Sequence, residues 1–261
     1  MDYRAIQFQK ENKTARITLN RPDAQNAISF ELMEDVISAL GEVREDPTMK
    51  AVVFTGSGKA FSAGADLKAA VSGAFENPKE FQTYLGLFDK MIDEMQEFPL
   101  PLIAAVNGFC FAGGLEIMLA CDIAIAADGA KIGDQHMNFA LIGGPVFWQL
   151  FQRIGWQKSA ELVYTGKWLT GKAAESYGLV LKAVPCNKLD EEVEELLSQL
   201  RDKSRPGLSA CKKALKAARE IPTRREAVEL GLRIAFQYIT TEKEPREGVT
   251  AFVEKRKPPV F

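Results

Sequence analysis

Short, uninterrupted apolar runs alternate along this chain with stretches in which apolar residues recur at helical spacing. Residues 51–54 and 102–106 are runs of the first kind, and the segments after Ser29 and from 81 to 95 have the helical spacing. Strands that are apolar on both faces are typical of a parallel sheet covered by helices. The pattern therefore predicts an α/β core over residues 1–190, which would hold the active site, followed by a largely helical segment over residues 191–261.

Composition narrows the classes of protein that this chain can belong to. Of its 261 residues 46% are hydrophobic and 26% charged, and the formal net charge is −2. A chain so close to neutral lacks the field that attracts nucleic acid or an anionic membrane, and no apolar run approaches the roughly 18 residues that a membrane span needs. No secretory signal is visible at the start, so a cytoplasmic location is expected. The scattered cysteines and the single histidine have no metal-site spacing, so no metal is expected.

Three motifs of common α/β enzymes are incomplete or missing. The segment Gly56-Ser57-Gly58-Lys59 resembles the end of a phosphate-binding loop, but Ala60 stands where the metal-binding hydroxyl would be. No G-x-G-x-x-G follows a strand, and no G-x-S-x-G is present. These patterns argue against nucleotide triphosphates, dinucleotides and a serine nucleophile as the basis of the chemistry.

Two glycine-bearing turns remain, each just after a predicted buried strand. They cover residues 61–66 and 107–116. Small residues let the backbone approach a ligand closely, and amides at the start of a helix point outward with the positive end of the dipole behind them. Two such turns could supply two N–H donors to one oxygen. They could equally be ordinary tight turns that allow close packing.

The same turns carry a family resemblance, together with motifs elsewhere in the chain. The sequence resembles the crotonase (enoyl-CoA hydratase/isomerase) superfamily over nearly its whole length. The matching motifs, in order, are Asn20-Arg21-Pro22, Phe61 to Asp66, Pro101 through Asp122, Leu169-Thr170-Gly171 and Ala251 to Lys257. The resemblance implies a crotonase-like spiral of ββα turns, a helical C-terminal trimerisation region, and assembly as a homotrimer or hexamer. It also implies an acyl-CoA thioester substrate, whose CoA is a carrier group, so that no further cofactor is expected.

The resemblance also implies roles for particular residues. The family holds the thioester carbonyl oxygen in an oxyanion hole of two backbone amides, which would here be those of Ala63 and Gly113. Gly64, Ala65 and Asp66, from the first turn, are assigned to substrate binding.

Catalysis in the hydratases of this family uses two glutamates, and here only the first is present, as Glu116. At the second position, in the family's G-x-P-E turn, the chain has His136, its only histidine. An imidazole titrates near neutral pH and could share proton transfer with Glu116. Asp134 is close enough in sequence to orient it.

The segment after His136 departs further from the family pattern. Phe147 and Trp148 stand where the family has a glycine-rich turn followed by a small residue. Two interpretations remain open, contact with the acyl group and packing in the core.

We expect a lyase that adds water to, or removes it from, an enoyl-CoA. Double-bond isomerisation is the first alternative, since one base can move a proton along an enolate, and C–C hydrolysis or decarboxylation could use the same oxyanion hole. A third class is a catalytically silent fold member that binds CoA, a protein or RNA.

Overall fold

The computed structural model describes residues 2–66, 77–257 and 259–261. The strands in these ranges are β1 (Ile6–Glu11), β2 (Thr14–Leu19), β3 (Ala51–Gly56), β4 (Ala60–Ser62), β5 (Leu102–Val106), β6 (Phe109–Phe111), β7 (Ile123–Ala127), β8 (Lys131–Gly133), β9 (Leu169–Thr170) and β10 (Lys182–Val184). The α-helices are α1 (Phe30–Glu45), α2 (Pro78–Gln96), α3 (Gly113–Ala120), α4 (Val146–Ile154), α5 (Trp156–Thr165), α6 (Gly171–Tyr177), α7 (Leu189–Arg201), α8 (Arg205–Glu220), α9 (Arg224–Thr241) and α10 (Glu244–Val253).

The strands form two sheets that the chain visits in turn. The large sheet has the order β1-β2-β3-β5-β7-β10, parallel except for the β1–β2 hairpin, and the small sheet has the order β4-β6-β8-β9. In each of the pairs β3–β4, β5–β6 and β7–β8, the first strand joins the large sheet and the second joins the small one. Helices follow these pairs, which gives the spiral of ββα turns that the resemblance implies.

Both faces of the large sheet are buried, as its continuous apolar strands predict. On β3, Val52 and Phe54 belong to the main core with α1 and α2, whereas Ala51 and Val53 face a second cluster. That second cluster is completed by the buried face of α7, which consists of Leu189, Val193 and Leu197. The first of the late helices therefore packs back on the chain's own sheet.

Local signals placed most elements correctly. The Ser29 side chain accepts a hydrogen bond from the Leu32 N–H at the start of α1, as expected of an N-cap. Asn187 is a residue type that favours the start of a helix, but it lies in a 3-10 turn and α7 begins at Leu189. The mostly apolar run over residues 179–184 favours a strand, but β10 is shorter and begins only at Lys182. The sequence is polar around residues 72–78, and as far as residue 76 this segment lies outside the described residues.

The last helices leave much apolar surface uncovered. Large apolar side chains on α9 and α10 are exposed, among them Leu232, Phe236, Ile239 and Phe252. In the part of the chain that the structure describes, no helix has the length and apolarity to cross a membrane.

Candidate active site

Three neighbouring strands of the small sheet deliver the candidate residues to one edge. β4, β6 and β8 are parallel neighbours, so their carboxyl ends lie side by side. The turn after β4 carries Ala65, the turn after β6 leads into α3 with Gly113 and Glu116, and the segment after β8 carries His136. Ligands commonly bind at the carboxyl ends of parallel strands, and this edge has that arrangement.

Backbone hydrogen bonds to Ile28 hold the first turn on both sides of Ala65. The Ile28 N–H donates to the Gly64 carbonyl (2.9 Å), and the Asp66 N–H donates to the Ile28 carbonyl (3.1 Å). The peptide groups of Ala65 itself take no part in this pairing, and among the described residues its N–H has no hydrogen-bond partner. The Ala65 amide is therefore available to a ligand.

The structure corrects the prediction that Ala63 supplies an oxyanion-hole amide. The Ala63 N–H donates to the Gln25 carbonyl at 3.0 Å and is therefore already occupied. Gly64, with φ of +95°, turns the chain between the two alanines, so their amides have different surroundings. Of these two amides, only that of Ala65 has no hydrogen-bond partner among the described residues.

Gly113 brings a second amide beside Ala65, and this N–H too has no hydrogen-bond partner within the described residues. It is the first residue of α3, where N–H groups have no partner within the helix. A Cβ atom built on Gly113 would lie 3.6 Å from the Ala65 nitrogen and 2.9 Å from Cδ1 of Ile28. A side chain here would fill the gap between the two amides, so glycine keeps that gap open.

Glu116 is buried at the start of α3, where it is only 3% exposed. Its Oε1 accepts a hydrogen bond from the Val146 N–H at 3.0 Å, at the beginning of α4. Burial raises the pKa of Glu116 above its ordinary value, although the charge of His136 and the amides of Val146 and Gly144 act in the opposite direction. A carboxyl group with a raised pKa is suited to proton transfer near neutral pH.

His136 pairs with a buried carboxylate. Its Nδ1 is hydrogen-bonded to Oδ1 of Asp134, which is 1% exposed. Burial lowers the pKa of His136, but the hydrogen bond to Asp134 and the charges of Asp134 and Glu116 outweigh it, so the pKa is raised above its ordinary value. His136 and Glu116 lie close enough for the charge of each to shift the pKa of the other. Their roles as an acid–base pair stay a prediction.

These groups line one cavity of about 480 Å³. Its polar part contains Ala65, Gly113, Glu116 and His136. The rest is largely apolar and comes from α2 and from the segment after His136, with Phe81, Leu85, Phe88, Phe139, Leu141 and Ile142. An apolar cleft with a few convergent polar groups is the usual form of a small-molecule site.

Comparison with known proteins identifies the family. The sequence model of the enoyl-CoA hydratase/isomerase family matches residues 9–260. The chain belongs to that family. It is 33% identical over 259 residues to a Mycobacterium bovis protein named "Probable enoyl-CoA hydratase echA8", covering 99% of this chain and 98% of the relative. It is 34% identical over 249 residues to the mitochondrial enoyl-CoA hydratase of Pongo abelii, covering 95% of this chain and 83% of the relative.

Solved structures agree with the family assignment. A crystal structure of enoyl-CoA hydratase from Bacillus anthracis superposes with a TM-score of 0.90 at 30% identity, covering 99% of both chains. A Geobacillus kaustophilus structure of this type superposes with a TM-score of 0.93 at 26% identity, covering 99% of this chain and 97% of the other. The crotonase superfamily and its α/β fold, predicted from the motifs, are confirmed.

In this member of the enoyl-CoA hydratase/isomerase family, Phe147 and Trp148 do not line the cavity. Both are 42% exposed on α4, and the Arg219 guanidinium lies 4.8 Å from the centre of the Trp148 ring. The same helix buries Val146 and Leu150, one turn apart, so the two aromatic residues face outward. In the single chain the two aromatic residues neither line the cavity nor pack in the core. Both interpretations from the sequence, contact with the acyl group and packing in the core, are therefore corrected.

Asp66 holds the first turn in place and is not among the cavity-lining residues. Its Oδ2 accepts a hydrogen bond from Arg21 Nη2 at 2.9 Å, and Arg21 Nη1 also donates to the Ala27 carbonyl. Sequence analysis missed Tyr84, a buried residue of α2 whose hydroxyl donates to the Ile28 carbonyl at 2.8 Å. Its position on the apolar face of α2 was readable from the sequence, but its partner was not.

Ala112, the residue before α3, has a backbone conformation that normally requires glycine. Its φ is 48° and its ψ is −119°. We expect Ala112→Gly to raise the free energy of unfolding by about 1 kcal/mol, because such conformations cost about 1–3 kcal/mol in residues with a side chain. Urea denaturation checks this. The control is Ala120→Gly, at the end of the same helix, which should instead lower the free energy of unfolding by about 1 kcal/mol. If Ala112→Gly also lowers it, the backbone at Ala112 is not strained.

The buried carboxyl group of Glu116 should make stability depend on pH. The pKa of Glu116 is raised in the folded chain, so folding favours the protonated carboxyl group. This contribution to the free energy of unfolding is fully present below pH 4.5, the ordinary pKa of the group. It is lost as pH rises through the pKa of the folded chain. Glutamine cannot ionise, so the stability of Glu116→Gln relative to the original chain should increase as pH rises through that window. Denaturation series at several pH values measure this, with exposed Glu45→Gln as the control. A difference independent of pH would contradict it.

Proposed function

We propose that this chain is a hydro-lyase that adds water across the double bond of a 2-enoyl-CoA thioester, or removes it in the reverse direction. One observation carries the proposal. The amides of Ala65 and Gly113, which have no hydrogen-bond partner in the part of the chain that the structure describes, line the same cavity as Glu116 and His136. The names of the relatives support the same reaction class. CoA enters as part of the substrate, and no further cofactor or metal is proposed.

The amide pair would stabilise the charge that develops on the thioester oxygen. When water attacks the β-carbon, the electron pair of the double bond moves towards the carbonyl and gives an enolate. Two N–H groups aimed at that oxygen bind it more strongly as its negative charge grows, and each such donor is worth roughly 2.7–4 kcal/mol in the transition state. The positive end of the α3 dipole, at Gly113, acts in the same direction.

Glu116 and His136 would exchange the protons of the reaction. As the water oxygen bonds to the β-carbon, the Glu116 carboxylate accepts one water proton. The imidazolium of His136 then donates a proton to the α-carbon, where the electron pair of the enolate forms the new C–H bond. Glu116 is left protonated and His136 neutral, and passage of that proton from Glu116 to His136 restores the starting state. Their mutual effect on each other's pKa supports such a pair.

Incubation with crotonyl-CoA and, separately, with its β,γ-isomer tests the proposal. We expect the enoyl absorbance of crotonyl-CoA to fall while 3-hydroxybutyryl-CoA appears in equal amount. Interconversion of the two substrates without a hydroxyacyl product would indicate an isomerase. Inertness towards both would count heavily against the hydratase assignment.

Isomerisation is the second candidate function, and one observation favours it. His136 stands at the position of the second family glutamate, so of the two catalytic glutamates only Glu116 is present in the cavity. One base can take a proton from one carbon of an enolate system and return it to another. C–C hydrolysis or decarboxylation would use the same amides and remains a further alternative.

We also propose that the chain assembles as a homotrimer or hexamer and acts in the cytoplasm. The uncovered apolar side chains of α9 and α10 support self-association, because a large apolar surface that faces water is unfavourable and another subunit would cover it. Light scattering coupled to size exclusion measures the mass of the assembly directly. A monomer at micromolar concentration would contradict the assembly proposal.

A further inference from the structure

The segment that carries His136 is held by close packing at one end and by hydrogen bonds at the other. These contacts keep His136 beside Asp134. Gly133, the last residue of β8, packs so closely that a Cβ there would lie 2.5 Å from the Lys167 carbonyl oxygen. Beyond the histidine, Asn138 Nδ2 donates to the Gly166 carbonyl at 2.9 Å, and Gln135 Nε2 donates to the same carbonyl at 2.6 Å. The backbone between Asp134 and His136 is thereby held against the loop at Gly166.

The imidazole ring is also confined from the side. A Cβ on Gly143 would lie 2.9 Å from Cε1 and 3.0 Å from Nδ1 of His136, so only glycine allows the loop to lie against the ring. Nδ1 is bound to Asp134, and among the described residues no partner occupies Nε2. The charged groups that act on the ring are Asp134, from its own segment, and Glu116, from α3. Gly143, which packs on it from the following loop, carries no charge.

We propose that Asp134 is a positioning residue, whose carboxylate holds the proton of His136 on Nδ1 and thereby keeps Nε2 as the atom that exchanges protons in the cavity. A carboxylate acceptor favours the Nδ1–H tautomer because only that form can donate to it. It also stabilises the imidazolium once Nε2 has taken up a proton. The catalytic part of this inference rests on the proposed function, whereas the tautomer and the ionisation of His136 do not.

Because the chain contains one histidine, the state of its ring can be read without ambiguity by NMR of protein labelled with ¹⁵N-histidine. In the neutral ring of the original chain we expect the Nδ1–H tautomer. In Asp134→Asn, which is nearly isosteric, the pKa of His136 should fall by about 1–3 units with loss of the anionic partner, and the tautomer preference should weaken. With crotonyl-CoA as substrate, the alkaline limb of the kcat/KM profile, where the His136 imidazolium loses its proton, should move in the same direction. The value of kcat should fall by about 10²-fold.

Asn138→Ala provides the matched control, since it removes an anchor of the same turn and leaves the Asp134–His136 contact in place. It should leave the tautomer and the pKa of His136 unchanged. The proposal is overturned if the neutral ring of the original chain is mainly Nε2–H, a result that needs no variant to fold. It is also overturned if folded Asp134→Asn keeps the original His136 pKa. Inertness of the original chain towards enoyl-CoA would refute the proposed function alone, because the NMR measurement requires no substrate.

Discussion

Glu116→Gln is expected to lower kcat by about 10²–10⁴-fold, the range that a positioned acid–base group contributes. Glutamine has nearly the same shape and can still accept the hydrogen bond that the Val146 N–H donates, but it cannot take up or release a proton. Steady-state kinetics with crotonyl-CoA measure the loss. Because the same substitution removes a buried ionisable group, its stability at neutral pH should not fall, so unfolding cannot explain the lost activity.

Glu116→Asp is the matched control for this experiment. It keeps the carboxyl group but withdraws it by one methylene from the cavity, so it should retain more activity than Glu116→Gln. Full activity of Glu116→Gln would show that another group exchanges the proton, and the assignment of the acid–base pair would then be wrong.

Replacing the Ala65 peptide N–H by an ester oxygen should lower kcat by about 10²–10³-fold, the effect of removing one oxyanion-hole donor. Incorporation of lactic acid at position 65 makes this change while preserving the methyl side chain. The hydrogen bond from the Asp66 N–H to the Ile28 carbonyl stays intact, whereas the Gly64 carbonyl, which accepts from the Ile28 N–H, becomes an ester carbonyl and a weaker acceptor. The measurement is kcat for the ester variant against the unmodified chain, under conditions in which both are folded.

The same replacement at Ala63 distinguishes the two alanines. There the lost N–H is the one that donates to the Gln25 carbonyl, so the expected effect is a loss of stability of about 0.5–1.5 kcal/mol with little change in kcat. The opposite result, a large loss of activity at position 63 and none at 65, would restore the assignment that the family motif suggested.

The difference between these alanines shows where sequence reasoning ends. Continuous apolar runs such as β5 predicted the core strands, and the order of motifs predicted which turns meet. The direction of an amide, however, depends on the φ of Gly64 and on a partner, Gln25, that lies some distance away in sequence. Neither is visible in a pattern of residue types.

The placement of Phe147 and Trp148 has a different cause. Once α4 is known to begin at Val146, the burial of Val146 and Leu150 fixes the outward face, and the aromatic pair lies on it. The sequence offered no clear N-cap for this helix, since Pro145 precedes it without a side-chain cap, and so its phase could not be predicted. The contact of Asp134 with His136 was anticipated only as proximity along the chain, because their separation gives no ring orientation.

A crystal structure of the chain with a bound enoyl-CoA tests the central claim most directly. We predict that the thioester oxygen lies about 2.7–3.1 Å from both the Ala65 and the Gly113 nitrogens, with Glu116 and His136 beside the double bond. An oxygen that points away from these nitrogens, while the acyl chain fills the cavity, would contradict the account.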